Sequence, residues 1–544
     1  MRFKLILLLA LIGTASWAQT KPENKTATLI KVWGFLKYHH PQVATGLLDW
    51  DGEFMDKLQR IEQSSSSQQQ MQVYLDWLSQ LQTPKPCHSC SAILPTAYPG
   101  NAQIDWSTTE LTTEVQNQLN LIFQNRNTEK NYYVQFHQYT QLPLFNNERQ
   151  IADQSLPNAA QRLLALARYW NAVRYFYPYQ QLLAQNWEAV LLEAIPTMES
   201  ATTALEYQLG LVKINKQLDN SSAFVASEVL FEKIGQKKVP FKIEKVREKW
   251  LVAQSENDSL ARLSALQLGD ELLEIDGVPI AELAAEKGGW ISSSNPQSLQ
   301  LSIAATLLNG AETVVKLRVR RGNETLSIEQ ERFVIRDYYW DDYAQQREYP
   351  WLSIDEKTLW LSARDLEVEQ LTALHRAAVG KRNLIVDLRD YQIPAGFKLA
   401  EYLVPRAKTY AQMIEPKIDL PGNFNVVARK TEIPAIKRYF TGLIYVLVDE
   451  KTRGQAELMA MLLKGSDRVT LVGSTTSGTV GYPTKLVLPG AVSVFFTGIG
   501  VQNPDGTEVQ QLGLQPDVAV DLGESWTSEK QAANQILEAI PKPQ

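Results

Sequence analysis

Between about residue 340 and residue 525 the chain alternates short apolar runs with amphipathic stretches, and this alternation narrows the fold more than any other feature. TLWLSA, VEQLTALHRAAVGK and NLIVDLRDY read as strand, helix and strand, and LIYVLVDE, GQAELMAMLLKG and RVTLVGS repeat the order. Strands that are apolar on both faces need cover on both, so the pattern predicts an α/β unit with helices on either side of a sheet. LVLPGAVSVFFTGIGV adds an antiparallel pair turning at Pro489-Gly490. Such a unit is the natural seat of a catalytic site.

The remainder of the 544 residues is too long to join that one core, so several domains are expected. Residues 27 to 82 carry apolar side chains at helical spacing, in ATLIKVWGFLKYHHPQV and MQVYLDWLSQLQ either side of SSSSQQQ. A second helical block covers AAQRLLALARYWNAVRYFYPY, NWEAVLLEAIPTM and TALEYQLGLVKINKQL, and NYYVQFHQYTQLPLFNNE between the blocks reads as short strands. The aromatic residues of both blocks recur at helical spacing, which marks core packing. The expected boundaries are 1–18, a signal peptide; 19–158, a helical region with short strands and a cysteine pair; 159–226, the second helical block; 227–333, a β-rich domain; 340–525, the α/β core; and 526–544, a C-terminal helix or tail.

MRFKLILLLALIGTASWAQ places Arg2 and Lys4 before a short apolar run and small residues at Ser16 and Ala18, the layout of a secretory signal cleaved before Gln19. No later run is long enough to span a bilayer. The mature protein is therefore expected to be exported, to a periplasm or to the medium. A net charge of -6 provides no basic field for a phosphate backbone, so nucleic acid is not an expected partner. Cys87 and Cys90, in PKPCHSCSA, are the two cysteines. In an oxidising compartment they read as a local disulfide. A redox pair would want a thioredoxin-like strand and helix around it, and a metal site at Cys87, His88 and Cys90 lacks a fourth ligand nearby. No cofactor and no metal are expected.

In LSALQLGDELLEIDGVPI a helix is expected to end at Gln267, followed by Leu268-Gly269-Asp270, a strand, and a turn at Asp276-Gly277. The stretch resembles a PDZ domain. That resemblance implies an extended peptide added as a strand, its terminal carboxylate held on backbone amides, around Leu268, Gly269 and Asp270. A PDZ fold that only packs on its neighbour is the other reading.

Together with NLIVDLRDY, TRGQAE after a strand, GSTTSG and NPDGTEVQQLGLQPDV, the chain resembles the tail-specific (C-terminal processing) serine peptidases, nearer their tricorn-core-like branch. The resemblance spans nearly the whole mature chain, RYWNAVRYFYPY and LDNSSAF included. It implies a multidomain fold: a helical N-terminal region, a PDZ-like β domain and a ClpP/crotonase-like α/β peptidase core. It also implies a nucleophilic serine in a T-x-S-x-A-E pattern. Here Thr452, Gln455, Ala456 and Glu457 match, and Gly454 stands at the serine position.

The general bases of the family are missing as well. One branch uses a lysine in G-x-x-T-x-G-K, where Gly473, Thr476 and Gly478 match and the lysine position is Thr479. The tricorn-like branch uses a histidine in a D-S-H-A-like segment, where Asp219, Asn220 and Ser221 lead to Ser222. Its glutamate corresponds to Gln510. The oxyanion donors implied by the family fall at the Gln455 backbone amide and at Gly396, in DLRDYQIPAGF, where Pro394 removes one donor.

A serine hydroxyl needs a base within hydrogen-bond reach. Four histidines, His39, His40, His88 and His137, precede the PDZ-like region, and His375 lies in a helix packed on the sheet away from Gly454. Ser474 and Ser477, with Lys451 and Lys485 the nearest lysines, are the candidates for a relocated pair. The expectation is a catalytically inactive member that binds peptides or unfolded protein C-termini. A serine endopeptidase with a non-standard nucleophile and base is the alternative, and a cell-envelope structural or assembly factor is the second.

Overall fold

The computed structural model describes residues 24–88, 90, 98–151, 155–337, 349–389, 393–404, 408–430, 439–521 and 528–540. The expected signal segment lies outside them. Among the described residues no helix is long and apolar enough to cross a membrane.

The α/β core is a six-stranded sheet in the order Trp351–Ser353, Thr358–Ser362, Asn383–Asp387, Leu443–Val448, Val469–Gly473 and Val518–Ala519. The first pair is antiparallel and the other pairings are parallel. Alternate side chains go to opposite faces, as the pleat requires. Leu384, Val386, Ile444 and Val446 meet one set of helices, among them Gly396–Leu403 and Gln455–Lys464. Ile385, Tyr445 and Leu447 meet Ala532, Ala533 and Ile536 of the last helix, Glu529–Ala539. Helix Glu529–Ala539 therefore covers the second face of the sheet.

The β-rich domain is a sheet ordered Glu324–Glu331, Val314–Arg321, Glu271–Ile275, Lys249–Ser255 and Phe241–Val246, with Pro296–Thr306 packed beside the last strand. The helix expected up to Gln267 is only Asp258–Ala261, and Gly269 then turns the chain at φ +85° into the next strand.

The helical region holds α1 (Lys25–His39), α2 (Trp50–Gln63), α3 (Ser67–Gln80), α4 (Thr113–Gln124), α5 (Ala159–Phe176), α6 (Trp187–Ser200) and α7 (Ala204–Lys216). The set α5 to α7 repeats α1 to α3 at one constant offset, down to a 3₁₀ turn at Val43–Thr45 and again at Gln180–Leu182. Within each set two indoles exchange hydrogen bonds with each other's backbone: Trp33 with Trp50 (2.8 and 3.2 Å) and Trp170 with Trp187 (2.8 and 3.0 Å). Between the sets the contacts are reciprocal. Lys31 pairs with Glu188 at 3.0 Å, and their counterparts Arg168 and Asp51 pair at 2.5 Å. The counterparts Tyr38 and Tyr175 meet edge to face at 5.4 Å. This is the self-complementary interface of a two-fold dimer, built inside one chain.

The second set joins the core directly. α5 and α7 cover the antiparallel sheet Phe424–Lys430, Thr409–Pro416, Val492–Gln502 and Tyr482–Leu488, and Leu486, Val494 and Phe496 share one apolar core with both helix sets. Tyr207 donates to the Pro489 carbonyl at 2.8 Å, and the Val501 N–H donates to the Tyr179 hydroxyl at 2.7 Å.

Candidate functional site: a buried hydroxyl network at the head of a helix

Strand Leu443–Val448 ends in a tight turn, closed by the Asp449 N–H on the Thr452 hydroxyl (3.0 Å), and the next helix starts at Gln455. Gly454 caps that helix at φ 57°, ψ −111°, a conformation that residues with a side chain rarely adopt. Its N–H lies against the Thr479 carbonyl (2.9 Å) and a Glu457 carboxyl oxygen (3.3 Å).

Glu457 is fully buried and also accepts from the Thr476 hydroxyl and from the N–H groups of Gly478 (2.7 Å) and Thr479 (2.8 Å). Burial pushes its carboxyl up to about 7, against the pull of those donors. The residue fastens the 476–479 loop to the helix. The Thr476 hydroxyl is buried too and accepts from the Leu514 N–H (2.8 Å), so the pair is closed to a substrate.

The family positions converge here. The Thr479 hydroxyl meets those of Ser477 (2.8 Å) and Ser294 (3.1 Å), and the Gln510 amide donates to Ser294 (3.0 Å). Ser222 stands one residue from this network, its N–H on the Asn220 side chain (2.8 Å). The neighbouring Ser221 exchanges hydrogen bonds with Ser294: N–H to hydroxyl at 3.1 Å in one direction and 3.0 Å in the other.

Sequence reasoning missed the segment that completes the network. Ser292, Ser294, Asn295 and Ser298 come from the β-rich domain, in WISSSNPQS. Asn295 caps helix Pro296–Thr306 with its oxygen and donates with its nitrogen to the carbonyls of Ser477 (2.8 Å) and Gln511 (3.3 Å). Ser298 meets Ser477 at 2.8 Å. The Asn cap before Pro announces a helix start, but nothing local says which loop its amide will reach.

The network is built from neutral hydroxyls and amides, which orient one another but take no proton from a nucleophile. The lysine nearest in sequence is engaged elsewhere: Lys451 pairs with Glu244 of the β-rich domain at 2.6 Å. Burial works against its charge, yet Glu244, Asp449 and Glu450 hold the ammonium above the ordinary lysine range. Lys485 is exposed on strand Tyr482–Leu488. Ser474 meets Glu450 (3.3 Å) and Ser477 is buried in the network. His39 and His40 are buried in the helical region, His88 adjoins the disulfide, His137 touches Thr140, and His375 packs on Tyr402.

The expected oxyanion groups are neighbours. The Gln455 side chain reaches the Ile393 carbonyl (3.5 Å), and Gly396, at φ +47°, lies beside it. The Gly396 N–H is already spent on Ile393 (2.9 Å), so it is not a free donor; the Gln455 N–H has no partner among the described residues.

The expected peptide-binding residues sit at the turn into strand Glu271–Ile275. Asp270 is buried, with its carboxylate on Arg321 (2.8 and 2.7 Å) and on the Gln267 N–H (2.9 Å). The Gly269 N–H and the Asp270 carbonyl bond to Val252 within the sheet, and Leu268 is exposed beside them. The edge at the end of the sheet order is Phe241–Val246, flanked by helix Pro296–Thr306. Cys87 and Cys90 are bonded to each other, and among the described residues no three His, Cys, Asp or Glu side chains gather as a metal site.

Comparison with known proteins agrees with this architecture. Residues 362–520 match the model of peptidase family S41 and residues 236–351 that of a PDZ domain. Mature CPAF complexed with lactacystin is similar at a TM-score of 0.54 and 13% identity, over 70% of this chain and 97% of that one. Mature CPAF itself matches equally, with a TM-score of 0.54 and 14% identity over 70% and 96%. A Chlamydia pneumoniae protein is 30% identical over 93 residues, which are 16% of this chain and 15% of that relative's length. Behind its helical N-terminal region the chain thus carries a PDZ domain at 236–351 and an S41 peptidase domain at 362–520, on a fold similar to that of CPAF.

Proposed function

We propose that this protein is an exported, non-catalytic member of its family that binds extended peptides or unfolded protein C-termini. One observation carries the reading. The positions that would hold nucleophile and bases, Gly454, Ser222, Thr479 and Gln510, gather at one place and hold only a glycine, two hydroxyls and an amide. The cleft-forming parts persist around them: the helix N-terminus with the Gln455 N–H, and the PDZ edge strand Phe241–Val246. An extended chain adding to that edge would take its hydrogen bonds from backbone, with side chains toward helix Pro296–Thr306. Export is supported by the leader pattern and by the Cys87–Cys90 disulfide.

The test is binding of fluorescent unstructured peptides, with free or amidated C-termini, to the mature protein. Saturable binding, weakened by Val246→Pro on the edge strand, is expected. No binding across a broad library would overturn the reading and favour the assembly role.

A further inference from the structure

The helical region carries a cavity of about 470 Å³ between the 103–107 segment and α4. That segment alternates exposed and buried residues, so Ile104 and Trp106, 5% and 3% exposed, form the floor, with Gln103, Asp105 and Ser107 around it. The floor is held in place, since the Trp106 ring packs edge-on against Phe35 of α1 at 5.3 Å. Gln116 and Asn120, one turn apart on α4, complete the lining. Asp105 fixes the 3₁₀ turn Trp106–Thr108 at the rim: its Oδ1 accepts from the Ser107 N–H (3.0 Å) and from the Ser107 hydroxyl (2.6 Å).

Most of the polar groups at this cavity are unspent. Among the described residues no partner meets the side-chain amides of Gln103 and Asn120, the second Asp105 oxygen or the Trp106 indole N–H. The Gln116 nitrogen donates to the Leu111 carbonyl (2.6 Å), which leaves its oxygen without a partner.

The lining selects among ligands. It holds no cation, so a phosphate or carboxylate would meet only the like charge of Asp105. Its one carboxylate is too few for a metal, and no cluster of three His, Cys, Asp or Glu side chains occurs among the described residues. The elements here are a 3₁₀ turn and a helix, which offer no strand edge to a peptide. An apolar molecule would cover the amides without satisfying them. What matches an apolar floor inside a rim of amides is a ring with a C–H face and hydroxyls at its edge, because each hydroxyl both donates and accepts, as each amide does. The volume lies within the range of about 300–1,000 Å³ usual for small-molecule sites.

We propose that this cavity binds a neutral saccharide of mono- or disaccharide size, its C–H face on Ile104 and Trp106 and its hydroxyls on Gln103, Asp105 and Asn120. A free sugar and a unit of a glycan chain present the same chemistry. The inference is independent of the peptide-binding reading, with which it shares no residue.

The test uses the full mature chain, titrated with maltose, cellobiose and N,N′-diacetylchitobiose by calorimetry and saturation-transfer NMR. Saturable binding of at least one is expected. Gln103→Leu and Asn120→Leu should each weaken it about tenfold, the loss expected for two hydrogen bonds, with the unfolding midpoint unchanged. Co-sedimentation with insoluble chitin and cellulose separates the sources. Pelleting that the bound disaccharide reverses assigns a glycan chain, and disaccharide binding without pelleting assigns a free sugar. No binding to any of the three disaccharides or the two polymers, or binding that both variants leave unchanged, would overturn the proposal.

Discussion

Gly454 is a residue whose backbone conformation suits the glycine found there. A side chain at φ 57°, ψ −111° is strained by about 1–3 kcal/mol. Gly454→Ser is accordingly expected to lower stability by about that amount in urea denaturation, with no gain of activity on its own. His39 is a second informative residue. Its basicity is lowered in the folded chain to about 3 from an ordinary 6.5, so the unfolded chain binds the proton first as pH falls. Stability is therefore full above about pH 6.5 and is lost toward pH 3, at up to about 1.4 kcal/mol per pH unit from this group. The repeat places Phe176 at the equivalent position, so His39→Phe should flatten the acid limb; an unchanged slope would show that His39 does not carry it. Motif spacing singled out Gly454, Ser222, Thr479 and Gln510 in the sequence, and the structure places Thr479 and Gln510 on one hydroxyl, that of Ser294. Ser294 and Ser298 were not legible there, because their partners lie in another domain and only tertiary contact identifies them.

Among the elements, strands and helices of the core were readable because their apolar periods differ and both faces are buried. The duplication in the helical region was hidden by divergence. Gly34 became Asn171, His39 became Phe176, and what persists is the tryptophan spacing and the reciprocal ion pairs. The difference at Gly34 is itself a packing device. The Asn171 amide crosses the pseudo-two-fold and donates to the Ile30 carbonyl (3.0 Å), occupying the space a Gly34 side chain would need: a methyl there would fall 1.9 Å from Asn171 Cγ. Gly34→Ala should cost about 1–3 kcal/mol by overpacking. Combined with Asn171→Gly it should cost less than the sum of the two single changes, since the clash is gone. Strict additivity in denaturation midpoints would show that the two helices do not meet there.

Over the whole molecule, the buried hydroxyl network is part of how the domains hold together. Ser292, Ser294, Asn295 and Ser298 of the PDZ domain engage Asn220, Ser221, Ser477, Thr479, Gln510 and Gln511, while Lys216 and Lys451 bridge to the same domain through Gly288 and Glu244. Sequence patterning gave the order of domains but not this interlock, because each contact joins segments far apart in the chain. The central claim is that the site holds chains without cutting them. Peptide cleavage by the purified mature protein, read by mass spectrometry on an unstructured peptide library beside a Gly454→Ser, Ser222→His variant, tests it most directly. The account predicts no cleavage by the unaltered chain above the buffer control. Cleavage at defined bonds by the unaltered chain, abolished by a serine-directed inhibitor, would contradict it.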